Sequence, residues 1–167
     1  NSFWESRRRK GTSLLDAQKW MRERNYFAAM MVNEGEADAL VTGYSRSYPS
    51  VVKPMMSLIE MAPGVSRIAT TNMMMTKRGP IFLSDTAINP NPTADDLAKI
   101  ALMTAKTVRL FGMEPVIAMV SFSNFGSSQD KSAQKVAEAV AYLHKYYPDL
   151  VVDGEIQADF ALNSEML

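Results

Sequence analysis

The sequence has no cysteine and a single histidine, His144. Without cysteine there is no disulfide, no thiolate nucleophile and no cysteine-ligated metal, a pattern that fits a cytoplasmic protein. With one histidine, a serine–histidine–aspartate triad or a multi-histidine metal site would need a second chain. His144 falls near the end of an amphipathic segment and reads as a helix-face residue. Neither sign of charge is in excess, with Lys+Arg and Asp+Glu both 18, so nothing in the bulk charge favours nucleic acid or an acidic membrane as partner. The one basic run, Arg7-Arg8-Arg9-Lys10, reads as a solvated helix face. No apolar run approaches the roughly 20 residues needed to span a bilayer, and no signal-peptide pattern is expected from the first residues. GxGxxG and GxxxxGK[ST] are both missing, so neither dinucleotide-binding nor P-loop chemistry is supported.

What is present is a chain of 167 residues, 47% hydrophobic, enough for the core of one domain or one and a half. It opens in what reads as mid-helix and stops just after Asn163, so it is expected to be a fragment of something larger. Phe3 to Lys10 is helix-compatible and ends at Gly11, a natural residue after a helix. Thr12 or Ser13 caps a second helix, with Asp16 completing a capping-box variant, and Tyr26 to Asn33 forms a third. Ala37 to Gly43 reads as a strand apolar on both faces. Pro49 or Ser50 opens a helix. Ser66 to Thr76 and Ile81 to Asp85 form a hairpin around Lys77-Arg78-Gly79-Pro80, which predicts a mixed sheet. Met73, Met74 and Met75 cannot all face one side, so some should face another layer or another subunit. Thr93 caps a long helix whose expected buried stripe is Leu97, Ile100, Ala101, Thr104, Val108 and Phe111. Val116 to Val120 is a buried strand, Ser132 to Tyr146 an amphipathic helix, and Leu150 to Val152 the last strand.

The order strand, polar loop, helix recurs three times, and such loops at the carboxyl ends of strands are where α/β proteins bind ligands. The first loop, Tyr44-Ser45-Arg46-Ser47-Tyr48-Pro49, offers hydroxyls and a guanidinium. Lys53 follows in the first turns of a helix, where a cation opposes the dipole; it points either to an anion nearby or to plain solvation. The second, Ser84 to Thr93, brings Asp85, Thr86 and Asn89 to a helix start, with a connecting loop as the bland alternative. The third, Ser121 to Ser128, is a Ser/Gly loop whose N–H groups and hydroxyls suit phosphate if a helix N-terminus follows. The shared chemistry is hydroxyl, N–H and cation, which does not suit a divalent metal. Periodicity alone stops at an α/β domain with a candidate anion site.

Four segments carry the argument further. Glu36-Ala-Asp-Ala-Leu-Val-Thr-Gly43, Ser84-Asp-Thr-Ala-Ile-Asn-Pro90, Phe111-Gly-Met-Glu-Pro115 with Ala118-Met-Val-Ser-Phe-Ser123, and Pro148-Asp-Leu-Val-Val-Asp-Gly-Glu-Ile-Gln157 resemble phosphate acetyltransferases, in that family's order and spacing, over residues 26 to 162. Asn25-Tyr-Phe-Ala-Ala-Met-Met31, Ser123-Asn-Phe-Gly-Ser-Ser128 and Asp153 to Asn163 resemble one variant more than the free-standing transferases. That variant is the phosphotransacetylase-like C-terminal domain of bacterial NADP-dependent malic enzymes.

The resemblance implies a three-layer α/β/α fold with a mixed, mostly parallel sheet, related to isocitrate and isopropylmalate dehydrogenases, with acetyl-CoA and phosphate in an interdomain cleft. Residues 1–35 would then end the first subdomain and 36–167 make most of the second. It implies a ligand set of Ser45, Arg46, Ser47, Lys53, Asp85, Thr86, Asn89, Ser123 and Ser127 for phosphate or acetyl-CoA, with no residue assigned to catalysis. The transferases act by attack of the CoA thiolate on acetyl phosphate, aided by positioning and oxyanion stabilisation. Their later serine–arginine segment is absent here. Lys53 stands where they usually have arginine, and Thr86 where they often have cysteine; a lysine cannot grip phosphate bidentately. The expected function is therefore an acetyl-CoA-binding, regulatory and oligomerising domain, at least dimeric, of a malic enzyme whose NADP, divalent metal and malate chemistry lie in other domains. An active phosphate acetyltransferase is the alternative.

Overall fold

Gly11 and Ser13 set the punctuation of the N-terminal region in the computed structural model, which describes residues 2–163. Helix α1 (Ser2–Arg7) tightens into a 3-10 turn, Arg8–Lys10, and stops at Gly11, whose φ of 84° carries no Cβ penalty. Ser13 caps α2 (Leu14–Trp20) by accepting the Asp16 N–H at 3.1 Å. Helices α3 (Arg24–Asn33) and α4 (Tyr48–Leu58) complete this first compact unit, Asn1–Val65. Its core is Phe3, Ala17, Ala29, Met30 and Leu58, with Trp20 and Tyr26 packed against it. The Trp20 and Tyr26 rings stack with centroids 5.4 Å apart, and Phe3 meets both edge-on.

The expected strand at Ala37 to Gly43 does not form. Those residues are coil with a bend at Asp38, because no neighbouring strand is there to satisfy their backbone groups among the described residues. The segment is held instead by the buried Asn25, whose amide accepts the Thr42 hydroxyl at 2.9 Å and donates to the Ser50 carbonyl at 3.3 Å.

The second unit, Ser66–Leu167, holds the strands. Strands β1 (Thr71–Thr76) and β2 (Gly79–Ser84) pair antiparallel, with Thr76 opposite Gly79 and Thr71 opposite Ser84. The turn is therefore two residues, Lys77-Arg78, rather than four, and β1 starts at Thr71 rather than Ser66 because the partner strand ends there. Met73, Met74 and Met75 are all substantially exposed. Helix α5 (Ala94–Leu110) begins in a full capping box between Thr93 and Asp96.

Of the expected α5 stripe Ile100 and Ala101 are buried, but the face in the core is Ala98, Ala101 and Ala105, about a quarter-turn from the Thr104, Val108 and Phe111 side that the larger residues suggest. Alanines spaced three and four apart let α5 lie close to α6 (Lys131–Tyr146), so small size decides the facing surface. Phe111 lies beyond the helix end, half-exposed, against the Phe82 ring. On α6 the spacing is obeyed: Ala133, Val136, Val140 and Leu143 are all buried. The helix starts at Lys131, capped by Asp130.

Strands β3 (Val116–Val120) and β4 (Val151–Ile156) pair parallel, and their inward residues Met119 and Val152 share one core with α5 and α6. On the opposite face Val116, Val120 and Val151 are 80%, 56% and 61% exposed. A short helix, α7 (Ala158–Ala161), follows. The architecture is thus mixed α/β with two separate two-stranded sheets among the described residues, and not the one continuous sheet expected from the sequence.

Strand β4 runs four residues further than expected, to Ile156, and its end is irregular. Met119 pairs with Gly154 and Val120 with Ile156, so Glu155 is an extra residue, a β-bulge. Gly154 has φ 140°, and a Cβ there would lie 2.5 Å from the Met119 carbonyl oxygen, so only glycine allows the two strands this approach.

Candidate functional site

The first polar loop, in the first unit, leads into α4. Ser47 is the N-cap residue but makes no side-chain cap bond to the helix; its hydroxyl lies 3.2 Å from that of Ser50, which in turn donates to the Ser47 carbonyl at 2.8 Å. Pro49 occupies the first turn, where its missing N–H costs nothing. Ser45, Arg46 and Lys53 are exposed and have no hydrogen-bond or ion-pair partner among the described residues. Two unpaired cations and the free Ser45 hydroxyl therefore stand at an open helix N-terminus, an arrangement suited to an anion.

The second loop, in the second unit, is organised differently. The Asp85 carboxylate is the acceptor for the whole turn. One oxygen takes the Thr70 N–H at 3.0 Å, the Thr70 hydroxyl at 2.5 Å and the Ala87 N–H at 3.2 Å. The other takes the Asn89 N–H at 2.7 Å and the Asn89 side-chain amide at 2.6 Å, with the Ile88 N–H 3.3 Å from both oxygens. Burial by itself would raise this carboxyl, but the donors from Thr70, Asn89 and Ala87 outweigh it and hold Asp85 well below the usual carboxylate range. Asn89 extends the network, donating to the Ile68 carbonyl and accepting from Arg67, whose guanidinium pairs with Asp96 at 2.6 Å. Thr86 stays exposed, its hydroxyl 3.2 Å from that of Thr70. Asp85 and Asn89 are therefore engaged with their own loop and with residues 67–70, and Thr86 is the side chain of the three that is exposed.

The third loop, 121–128, brings Ser123 and Ser127 together, their hydroxyls 3.0 Å apart. The backbone donors of residues 123–128, expected to suit phosphate, are occupied. Ser123 N–H reaches the Ser121 hydroxyl at 3.4 Å, Asn124 N–H that of Ser127, Ser127 N–H the Asn124 carbonyl, and Ser128 N–H the Ser123 hydroxyl. Phe125 N–H donates to the Glu155 carbonyl at 2.8 Å and Gly126 N–H to the Glu155 carboxylate at 2.5 Å. The Gly126 N–H holds the Glu155 carboxyl below its ordinary range against the opposing effect of burial, with help from the Ser123 hydroxyl at 3.0 Å. Asn124 and Gln157 exchange two further bonds, at 2.9 and 2.7 Å.

Thr70, Arg67, Asp96, Glu155, Asn124 and Gln157 thus support the site residues, and reading the sequence had assigned none of them this role. The glycine inside Val151-Val-Asp-Gly-Glu-Ile156 was the available signal, since a glycine within a strand pattern marks a bulge. His144 is engaged elsewhere, its Nε2–H donating to the Val152 carbonyl at 2.7 Å. Among the described residues no cluster of His, Asp or Glu could hold a metal ion, and no helix is long and apolar enough to cross a membrane. The expectation that all three loops follow strands of one sheet fails: the first follows no strand, and the other two follow strands of different sheets.

Comparison with known proteins agrees over nearly the whole chain. A phosphate acetyltransferase of Clostridium acetobutylicum is 38% identical over 171 residues, covering 98% of this chain and 51% of that protein. An NADP-dependent malic enzyme of Haemophilus influenzae is 37% identical over 96% of this chain, which spans 21% of it. Among solved structures, a phosphotransacetylase from Streptococcus pyogenes superposes with a TM-score of 0.84 at 40% identity, over 98% of this chain and 50% of its own. The chain therefore spans about half, or less, of the relatives it matches. With the family model for phosphate acetyl/butaryl transferase matching residues 1–167, the chain belongs to that family.

Proposed function

We propose that this chain is the phosphotransacetylase-like, acetyl-CoA-binding domain of an NADP-dependent malic enzyme, with a regulatory and oligomerising role in the cytoplasm. The observation that carries the ligand is the set Ser45, Arg46 and Lys53, whose side chains have no partner among the described residues, beside Ser47 at the start of α4. It offers charge and hydroxyl groups to a phosphate or thioester group, whereas residues 86–89 and 123–128 have their backbone donors occupied. In this proposal Thr86, Ser123 and Ser127 contribute hydroxyls, and Asp85 and Asn89 hold their loop in shape.

The fold proposed for that whole is the three-layer α/β/α sandwich of the dehydrogenase type, with 1–35 ending one subdomain and 36–167 forming most of the other. In its support, α5 and α6 cover one face of the β3–β4 pair while Val116, Val120 and Val151 leave the other face apolar and bare. Oxidation of malate, with NADP and a divalent metal, is assigned to other domains of the same protein. The exposed Met73, Met74 and Met75 of the hairpin are proposed as part of a two-fold dimer interface.

Lys53 in place of arginine is the ground for a binding rather than a transferase role. The test is an assay of acetyl-CoA formation from acetyl phosphate and CoA by the purified chain and by the full-length protein. No turnover by either, together with an acetyl-CoA-dependent change in malate oxidation by the full-length protein, is expected. Turnover abolished by Ser47→Ala or Arg46→Ala would establish the alternative, an active phosphate acetyltransferase.

A further inference from the structure

Glu155 is a carboxylate only 2% exposed, with no cation within ion-pair distance among the described residues. Such a group is expensive to bury unless its oxygens are well supplied with donors. In an unbroken strand Glu155 would alternate with Val151 and Asp153 onto the exposed face of β4. The extra residue at the bulge turns it inward, so Glu155 and Ile156 are both buried. There it meets residues 123–126. Its carboxylate accepts the Gly126 N–H and the Ser123 hydroxyl, and its own carbonyl accepts the Phe125 N–H.

The turn it grips is strained. Phe125 has φ 45° and Gly126 φ 82°, with the Ser127 N–H closing onto the Asn124 carbonyl at 3.0 Å. Two left-handed residues in succession make the φ pattern of a type I′ turn, whose first central position prefers asparagine or glycine. A phenylalanine there is disfavoured and persists only where its surroundings over-determine it. Phe125 is 55% exposed, so packing does not hold it; the bonds to Glu155 do.

We infer that Glu155 is a positioning residue of the candidate site: from its bulge in β4 it locks the 123–126 turn and fixes the paired hydroxyls of Ser123 and Ser127 in the one arrangement that meets the ligand. For the identity of that ligand alone, this rests on the acetyl-CoA reading above.

The experiment compares the full-length protein with its Glu155→Gln variant and the double variant Glu155→Gln, Phe125→Gly. Hydrogen exchange reports the amides of Phe125 and Gly126, with those of Ile117 and Met119 in β3 as the control for folding; calorimetry reports acetyl-CoA affinity. Replacing a charged acceptor by a neutral one lowers protection of the two turn amides by about tenfold, with β3 unchanged. Glycine at 125 removes the left-handed penalty and restores most of that protection. Acetyl-CoA binding weakens in step with the single variant. Unchanged turn protection in Glu155→Gln overturns the inference, and so does lost protection with unaltered acetyl-CoA affinity. If no protein, wild type included, binds acetyl-CoA, the ligand reading falls, while the exchange data still decide whether Glu155 holds the turn.

Discussion

Replacing Asp85 by asparagine changes one oxygen for an NH2 group and nothing in volume, yet the structure predicts a large effect. The amide oxygen is best placed where it keeps the Thr70 N–H, Thr70 hydroxyl and Ala87 N–H. The new NH2 group then points at two donors, the Asn89 N–H and its side-chain amide, now 2.7 and 2.6 Å from the carboxylate. The Asn89 side chain cannot turn over to help without giving up Arg67, which holds its oxygen at 2.9 Å. Two hydrogen bonds to a charged acceptor are lost, each contributing about 1.5–3 kcal/mol, and two donors are left facing a third. The expected loss is about 3 kcal/mol or more, a fall in Tm of roughly 6–12 °C for a chain of this size. Denaturant melts at pH 7 read it directly.

The acid limb gives a second readout of the same residue. A carboxyl held below its ordinary value of 3.8 contributes stability that is fully present above that value and is lost as pH falls through its folded-state value. Wild type should therefore lose stability below about pH 4 more steeply than Asp85→Asn. A variant within 1 kcal/mol of wild type at pH 7, with the same acid slope, would refute the role assigned to Asp85.

Gly154→Ala forces a methyl to within 2.5 Å of the Met119 carbonyl and asks alanine to adopt φ 140°, so it should cost several kcal/mol or prevent folding, whereas Gly64→Ala, with open space around it, is limited to its backbone penalty; urea melts of the pair make the comparison. Light scattering should find at least a dimer at tens of micromolar protein, and Met74→Glu with Met75→Glu should shift it toward monomer; a wild-type monomer would remove the hairpin interface.

Much of this could be read from the residues alone, and the limits have identifiable causes. Gly11 and Thr93 are legible because a cap is a local event: one residue's chemistry decides it. The Ala133, Val136, Val140, Leu143 stripe is legible because α6 has a single apolar face. Ala37 to Gly43 misleads because strand character is necessary but not sufficient; a strand exists only with a partner to bond. On α5 the hydrophobicity of Val108 and Phe111 hides the fact that closest approach selects the alanines. In the third loop, composition correctly shows many N–H groups and hydroxyls. It does not show that Glu155, 29 residues after Gly126, arrives through a bulge to occupy them. Candidate residues were therefore recognisable as polar, while the distinction between the free Ser45, Arg46 and Lys53 and the engaged groups at 85–89 and 123–128 required the structure.

Acetyl-CoA binding is the claim on which the rest depends, and calorimetric titration of the full-length protein measures it most directly. Among the described residues Arg46 has no side-chain partner to lose, so Arg46→Ala should leave the fold intact and weaken acetyl-CoA binding by about tenfold or more, the worth of one charge-assisted hydrogen bond to phosphate. Arg8→Ala, on the basic run where the guanidinium lies over Trp4, should bind as wild type does. Equal affinities for wild type and both variants, or no acetyl-CoA binding by any of them, would contradict the account.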